Sequence, residues 1–206
     1  MNLFKTTLLG AMAAASLAPL GAHAALILDT GTPDGSGQPS VLNGAQFDAA
    51  EFALGAGQAI TSILAYVTAP SDQPGATFTV ALYDDASGFI GARSPDLVFS
   101  GQATYQQDGW TGLTNLDITG LPAGKYWAAL EVGPADSAVG LALPAPVTPG
   151  SAPALGYAYS DGSSYTTDGA LPIGMQVEVA PVPIPGALLL FASGLLGLGG
   201  ISRRRS

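Results

Sequence analysis

The chain has 206 residues, enough for one domain with appended segments, and a formal net charge of −9. Fifteen acidic side chains but only two cations, Arg93 and Lys125, lie in residues 25–180, which gives this region a charge of −13. We expect no nucleic-acid partner, because phosphate binding requires clustered lysine and arginine. The chain has no cysteine, and its one histidine is His23. Residues 25–180 therefore lack the side chains for a thiolate or histidine zinc site and for a Ser-His-Asp triad.

The first 24 residues have the features of a secretory signal peptide. Lys5 supplies a positive charge, and residues 8–20 form an apolar stretch. Ala22 and Ala24 occupy an A-x-A pattern, which predicts cleavage after Ala24. We therefore expect a signal helix that is removed on export. The alternative is an N-terminal core helix.

Residues 25–180 predict an all-β domain with short strands. Apolar residues recur at every second position in 77–83, 125–132 and 175–179, which is typical of strands with one buried face. Further strands are predicted at Leu26–Leu28, Glu51–Leu54, Ala59–Thr68, Leu97–Gly101, Leu113–Ile118 and Val139–Leu143, with turn signals between strands that include Asp161–Gly169. This spacing favours an antiparallel β-sandwich, of jelly-roll-like type. The stretch 44–57 fits a helical face as well as a strand.

The same alternation predicts which side chains point away from the core. In strand 125–132, Tyr126, Ala128 and Leu130 share one face, whereas Trp127 and Glu131 lie on the other. Antiparallel sheets commonly leave one face in water. We therefore expect Trp127 and Glu131 to lie on a solvent-facing surface.

Three groups of acidic residues lie in predicted turns and offer the oxygen ligands that calcium prefers. They are Asp29–Gly35, the pair Asp84 and Asp85, and the loop that contains Asp161 and Asp168. None matches the EF-hand pattern, and Asp/Gly turns are common in proteins without calcium. We expect no cofactor and no metal, with calcium as the alternative.

Aromatic side chains near hydroxyls and acids suggest carbohydrate contact, because a ring offers a flat apolar face with a polar tip. The candidates are Trp110, Tyr157, Tyr159 and Tyr165. The alternative for the tyrosines is a strand in which they pack. A carboxylate-dependent hydrolase needs two paired acids, and nothing in the sequence pairs any two of them. We therefore expect no catalytic residues.

The C-terminal segment, residues 181–206, begins with an extended spacer that has proline at every second position. The uncharged run 187–201 would reach roughly 22 Å as a helix, which is short for a bilayer core of about 30 Å. Arg203, Arg204 and Arg205 would stay on the cytoplasmic side. We expect a short transmembrane helix with the domain outside, kept as an anchor or removed; a C-terminal core helix is the alternative.

The tail resembles the PEP-CTERM sorting signal of exported bacterial proteins. The matching parts are Val182-Pro183-Ile184-Pro185-Gly186, an apolar run with Ser193-Gly194-Leu195, and Arg203-Arg204-Arg205. Ile184 stands where the family name has glutamate. The resemblance implies an exosortase-type processing enzyme in the inner membrane as partner, removal of the apolar run, and delivery to the cell surface or matrix, often alongside exopolysaccharide.

The region before the tail is similar, more loosely, to the choice-of-anchor type of surface domain. The resemblance rests on strand patterns at 50–55, 60–63, 78–83 and 121–127. It implies a β-sandwich with an interchangeable anchor and carries over no catalytic residue. Together these features predict an exported, non-catalytic surface or matrix protein. The alternatives are a carbohydrate-binding module that acts on exopolysaccharide and a secreted glycoside hydrolase or other carboxylate-dependent hydrolase.

Overall fold

The computed structural model of this chain is all-β, and the part of the chain that it describes contains no helix. The described residues are 24–34, 39–44, 46–69, 73–85, 96–162, 164–167 and 172–182. Ala24–Pro181 form one compact unit. The strands are β1 (Ala25–Asp29), β2 (Ser40–Leu42), β3 (Phe47–Leu54), β4 (Gln58–Val67), β5 (Thr77–Asp84), β6 (Leu97–Thr104), β7 (Gly109–Ile118), β8 (Gly124–Glu131), β9 (Leu141–Leu143), β10 (Gly156–Ser160), β11 (Tyr165–Thr167) and β12 (Met175–Pro181).

The strands form two main sheets and one short pair. The first sheet has four strands in the order β1-β12-β4-β7, and the second has six in the order β11-β10-β3-β8-β5-β6. The pair β2-β9 adjoins the four-stranded sheet through a bridge between Thr68 and Ala142. All the pairings between these strands are antiparallel, which confirms the predicted antiparallel pairing.

The two main sheets bury a common hydrophobic core, as in a β-sandwich. Ile63, Val67 and Val177 enter it from the four-stranded sheet, and Phe52 and Phe78 enter it from the six-stranded sheet. All five side chains are buried. The period-two pattern of the sequence therefore identified the core-facing positions of β5, β8 and β12, as predicted.

Two local expectations are settled by the strand bounds. The ambiguous stretch 44–57 contains strand β3, not a helix. The predicted turn Asp161–Gly169 is wrong in its extent, because it contains strand β11, which pairs with β10. Tyr165, the first residue of β11, is buried. Burial of this ring favours the added strand over an open turn.

The expectation that Trp127 and Glu131 face solvent is wrong. They do lie on the face of β8 opposite the common core, but their exposed fractions are 2% and 3%. A second hydrophobic cluster, which we call the outer cluster, covers this face of the six-stranded sheet. It consists of Phe47, Ala49, Ala81, Tyr83, Trp127, Ala129, Ala158 and Tyr165. Strand β8 is therefore buried on both faces, which alternation alone does not predict.

The segments that carry the predicted targeting signals lie largely outside the described residues. These segments are the signal helix in 1–23 and the apolar run 187–201. Val182 is described and is exposed. Within the described residues, no helix has the length and apolarity needed to cross a membrane.

Candidate functional site

A buried carboxylate lies at the centre of the outer cluster. The hydroxyls of Tyr83 and Tyr165 both donate hydrogen bonds to Oε1 of Glu131, at 2.6 Å and 2.8 Å. The two rings are 5.8 Å apart between centroids and meet edge to face. A buried carboxylate is costly without such donors. The two tyrosines therefore fix the position of Glu131.

Curvature of the six-stranded sheet makes this contact feasible. Tyr83 lies on β5 and Tyr165 on β11, with β8, β3 and β10 between them. In a flat sheet these strands would be about 19 Å apart, too far for ring contact, so the sheet curls toward the outer cluster. A row of alanines in register, Ala158, Ala49, Ala129 and Ala81, leaves room for the rings.

A second acidic group borders the outer cluster at the start of β8. Lys125 Nζ lies 2.9 Å from Oε1 of Glu51, whose side chain is 8% exposed. The hydrogen bond to Glu51 and its negative charge, with a weaker contribution from Asp85, raise the pKa of Lys125. Both carboxylate oxygens of Asp85 are buried and make no hydrogen bond. The lysine thus offsets two acids at one corner of the sheet.

The aromatic residues predicted to contact glycan do not form one site. Trp110 lies on β7 in the four-stranded sheet, whereas Tyr157 and Tyr159 lie on β10 in the six-stranded sheet. Tyr157 packs against the common core, and burial raises the pKa of its hydroxyl. Tyr165 belongs to the outer cluster and is 1% exposed. Of the four glycan candidates, Trp110 is half-exposed and has a second aromatic ring beside it.

That neighbour is Tyr66, which the sequence analysis missed. Tyr66 pairs with Trp110 across β4 and β7, and their rings meet edge to face with centroids 5.7 Å apart. Tyr66 alternates with the buried Ala65 and Val67, so both rings lie on the outer face of the four-stranded sheet. The alternation within the predicted strand Ala59–Thr68 could have identified Tyr66 as an aromatic residue that points away from the core.

The same outer face carries a groove of about 470 Å³. Its lining includes Ser62, Leu64, Thr114, Asn115, Leu116 and Glu178. Ser62 Oγ lies 3.4 Å from Oε2 of Glu178, and Asn115 Nδ2 lies 3.4 Å from Oγ1 of Thr114. These distances exceed the usual hydrogen-bond range. These two side-chain contacts are therefore weak, whereas Thr61, which also lines the groove, donates a 3.1 Å hydrogen bond from Oγ1 to the backbone carbonyl oxygen of Glu178.

The first predicted calcium loop is used structurally. The carboxylate of Asp29 accepts hydrogen bonds from the amide and hydroxyl of Ser151, both on Oδ2, and from the amide of Gly31 on Oδ1. Burial alone would raise the pKa of Asp29, but the hydrogen bonds outweigh burial and lower this pKa. Asp84 is the last residue of β5 and Asp85 follows it, Asp161 follows β10, and Asp168 lies outside the described residues. Within the described residues, no three His, Cys, Asp or Glu side chains form a group that could hold a metal ion.

One buried carboxyl lies at the edge of the common core. Asp48 is 1% exposed, and Oδ2 accepts a 2.7 Å hydrogen bond from Ser40 Oγ. Its other oxygen, Oδ1, is buried without a partner. Burial raises the pKa of Asp48 to about 6, although the Ser40 bond acts in the opposite direction. This group links β2 to β3 and titrates in the mildly acidic range.

The predicted sorting residues other than Val182 are Pro183, Pro185, Gly186 and Arg203–Arg205, and they lie outside the described residues. At the predicted signal cleavage site, Ala22 also lies outside, whereas Ala24 is exposed directly before β1. No protein-family model matches the chain. No curated protein matches it.

Proposed function

We propose that this chain is an exported, non-catalytic protein of the cell surface or extracellular matrix. A cleavable signal peptide, residues 1–24, directs export, and the PEP-CTERM-like tail, residues 181–206, directs sorting by an exosortase-type enzyme in the inner membrane. Both segments contain helices in this proposal, and the body between them is a jelly-roll-like sandwich. The observation that carries the proposal is the agreement, to within one residue, between the strand limits and the predicted limits of the signal peptide and the tail.

The paired strands run from Ala25, at the start of β1, to Pro181, at the end of β12. Ala25 is opposite Val179, and Pro181 is opposite Gln58. Removal of residues 1–24, or of the residues that follow Pro181, would therefore leave every described strand pair in place. Because β1 and β12 are antiparallel neighbours, Ala25 at the start of β1 and Pro181 at the end of β12 lie at the same edge of the sheet. This arrangement suits a domain that is released or re-attached after processing at both ends.

The engagement of Glu131 and Glu51 supports a non-catalytic role for these two buried acids. Glu131 is held by Tyr83 and Tyr165, and Glu51 is paired with Lys125. A hydrolase that uses two carboxylates needs them to face a common substrate space. These glutamates instead bind side chains that build the outer cluster and its border.

Intact-mass analysis of the cell-surface form tests the sorting proposal. The mature chain is expected to begin at Ala25 and to lack Arg203–Arg205. A variant with all three arginines changed to alanine is the matched control, and we expect it to keep its tail. A surface form that retains Arg203–Arg205 would identify the tail as a permanent anchor and contradict the sorting mechanism.

A specific observation favours carbohydrate binding as a second function of the same body. Trp110 and Tyr66 form a half-exposed aromatic pair on an outer sheet face that also carries a polar groove. Aromatic faces beside hydroxyl and carboxylate groups suit sugar rings. Sorting and glycan binding are compatible, since the first concerns the tail and the second concerns the body.

A further inference from the structure

Local irregularities in three strand pairings shape the groove on the four-stranded sheet. The register shifts between Ile60 and Ser62 where β4 pairs with β7, and again between Glu178 and Val179 where β12 pairs with β4. A third shift, between Leu26 and Leu28, occurs where β1 pairs with β12. Bulges bend strands and increase their twist. The sheet therefore departs from a regular surface at the level of the groove.

Asn115 marks the strained point of this region. Its φ angle is 57°, and it is the one non-glycine residue with a positive φ among the described residues. This backbone region is unfavourable for most side chains and is enriched at functional positions. In β7 it lies between Thr114 and Leu116, which also line the groove. The bulge thus displaces the chain where the groove forms.

The aromatic pair and the groove lie along one line of the sheet. Tyr66 is opposite Trp110, and Ser62 is opposite Thr114, so the two cross-strand pairs are four residues apart on both strands. At about 3.4 Å per residue this separation is roughly 14 Å, which suits a few linked sugar units. Gly112 and Leu64 lie between the pairs. A Cβ atom at Gly112 would clash with the backbone of Ile63 and Leu64, so glycine allows β7 to approach β4 closely at this point.

Charge restricts the class of ligand. Glu178 is the charged side chain in the groove lining, and Ser62 Oγ approaches its carboxylate to 3.4 Å. The surrounding region 25–180 carries a charge of −13. Acidic polysaccharides would be repelled, whereas an amine near Glu178 would be attracted. Uncharged sugars remain compatible because the other lining side chains are neutral.

We propose that this face binds a glycan segment that carries no acid groups. One sugar ring packs on the Trp110–Tyr66 pair, and a later unit lies in the groove, where Ser62, Thr114 and Asn115 hydrogen-bond its hydroxyls. Glu178 strengthens binding when that unit carries a free amine. The proposal deepens the second function above, and it is independent of tail processing.

Calorimetric titration of the purified protein tests this proposal with three probes. They are a chitosan oligosaccharide with free amines, its fully N-acetylated counterpart, and an oligogalacturonate of similar length. We expect binding of the first two and none of the third. Glu178→Gln should remove the preference for the free amine and retain binding of the N-acetylated probe, whereas Asp117→Asn, an exposed acid on β7 outside the groove lining, should change neither.

Two further variants separate the groove from the rest of the surface. Trp110→Ala should weaken binding of both sugar probes by roughly tenfold or more, since it removes a stacking face. Thr114→Arg, at an exposed position, should block the groove even if Trp110→Ala fails to fold. Lack of binding to both sugar probes, preference for the oligogalacturonate, or unchanged affinity in Thr114→Arg would overturn the proposal. Surface delivery and tail removal, measured separately, would report on sorting alone.

Discussion

Tyr83 donates a 2.6 Å hydrogen bond to Glu131 on the face of the six-stranded sheet that lies away from the common core. Both residues are almost fully buried. A half-solvated antiparallel sheet would place this tyrosine and this acid in water. The bond therefore marks a second buried layer, in which a carboxylate rather than an apolar side chain joins neighbouring strands.

Tyr83→Phe tests the contribution of this layer to stability. The change removes one of two tyrosyl donors to Oε1 of Glu131, and a buried hydrogen bond contributes about 1–2 kcal/mol. We expect the free energy of unfolding to fall by that amount in chemical denaturation. Tyr159→Phe is the matched control, because its hydroxyl makes no hydrogen bond to any described residue, and its effect should stay below about 0.5 kcal/mol. Equal effects of the two changes would contradict a structural role for the Glu131 bond.

Asp48 predicts a specific pH dependence of stability. Its pKa is raised from 3.8 to about 6 in the folded protein, so the folded state binds this proton more tightly than the unfolded state. The stability that it contributes is complete below pH 3.8 and is lost as pH rises to 6, a difference of about 3 kcal/mol. The measurement is the difference in unfolding free energy between the natural protein and Asp48→Asn across this range. We expect the variant to gain relative stability as pH rises; a constant difference would be inconsistent with a raised pKa.

The sequence predicted the common core because its signal is local. Phe78, Val80 and Leu82 alternate with polar or smaller residues, and this period identifies the face that packs between the sheets. The outer cluster has a weaker signal. Strand β8 reads Tyr126-Trp127-Ala128-Ala129-Leu130 without a polar residue, a run that is typical of strands buried on both faces.

The candidate groove was not predictable from the sequence for a different reason. Tyr66 and Trp110 are 44 positions apart in the sequence, and Ser62 and Glu178 are farther still. Their proximity depends on the order β12-β4-β7 and on register shifts between these strands. Residue type identified Trp110 as a candidate, but strand pairing alone supplied its partners.

Gly150→Ala should destabilise the loop that packs against the end of β1. A Cβ atom at Gly150 would lie 2.3 Å from the carbonyl oxygen of Asp29 and 2.5 Å from the amide nitrogen of Gly31. These are backbone atoms, so the loop must shift and the Asp29–Ser151 bonds must lengthen. We expect a loss of about 1–3 kcal/mol on thermal or chemical unfolding. Gly44→Ala is the control, because a Cβ atom there has no neighbour within 4 Å, and a similar loss in both would argue against the close approach.

Lys125 and Glu51 provide a test of how the buried acids are tolerated. Lys125→Met removes the ammonium group that lies 2.9 Å from Glu51 and leaves that mostly buried carboxylate without its cation. Breaking such a pair on one side costs more than replacing both partners. We therefore expect Lys125→Met alone to lower the unfolding free energy more than the double change Lys125→Met with Glu51→Gln. A double-mutant cycle measured at neutral pH checks this order, and additive effects of the two single changes would show that the pair contributes no coupling.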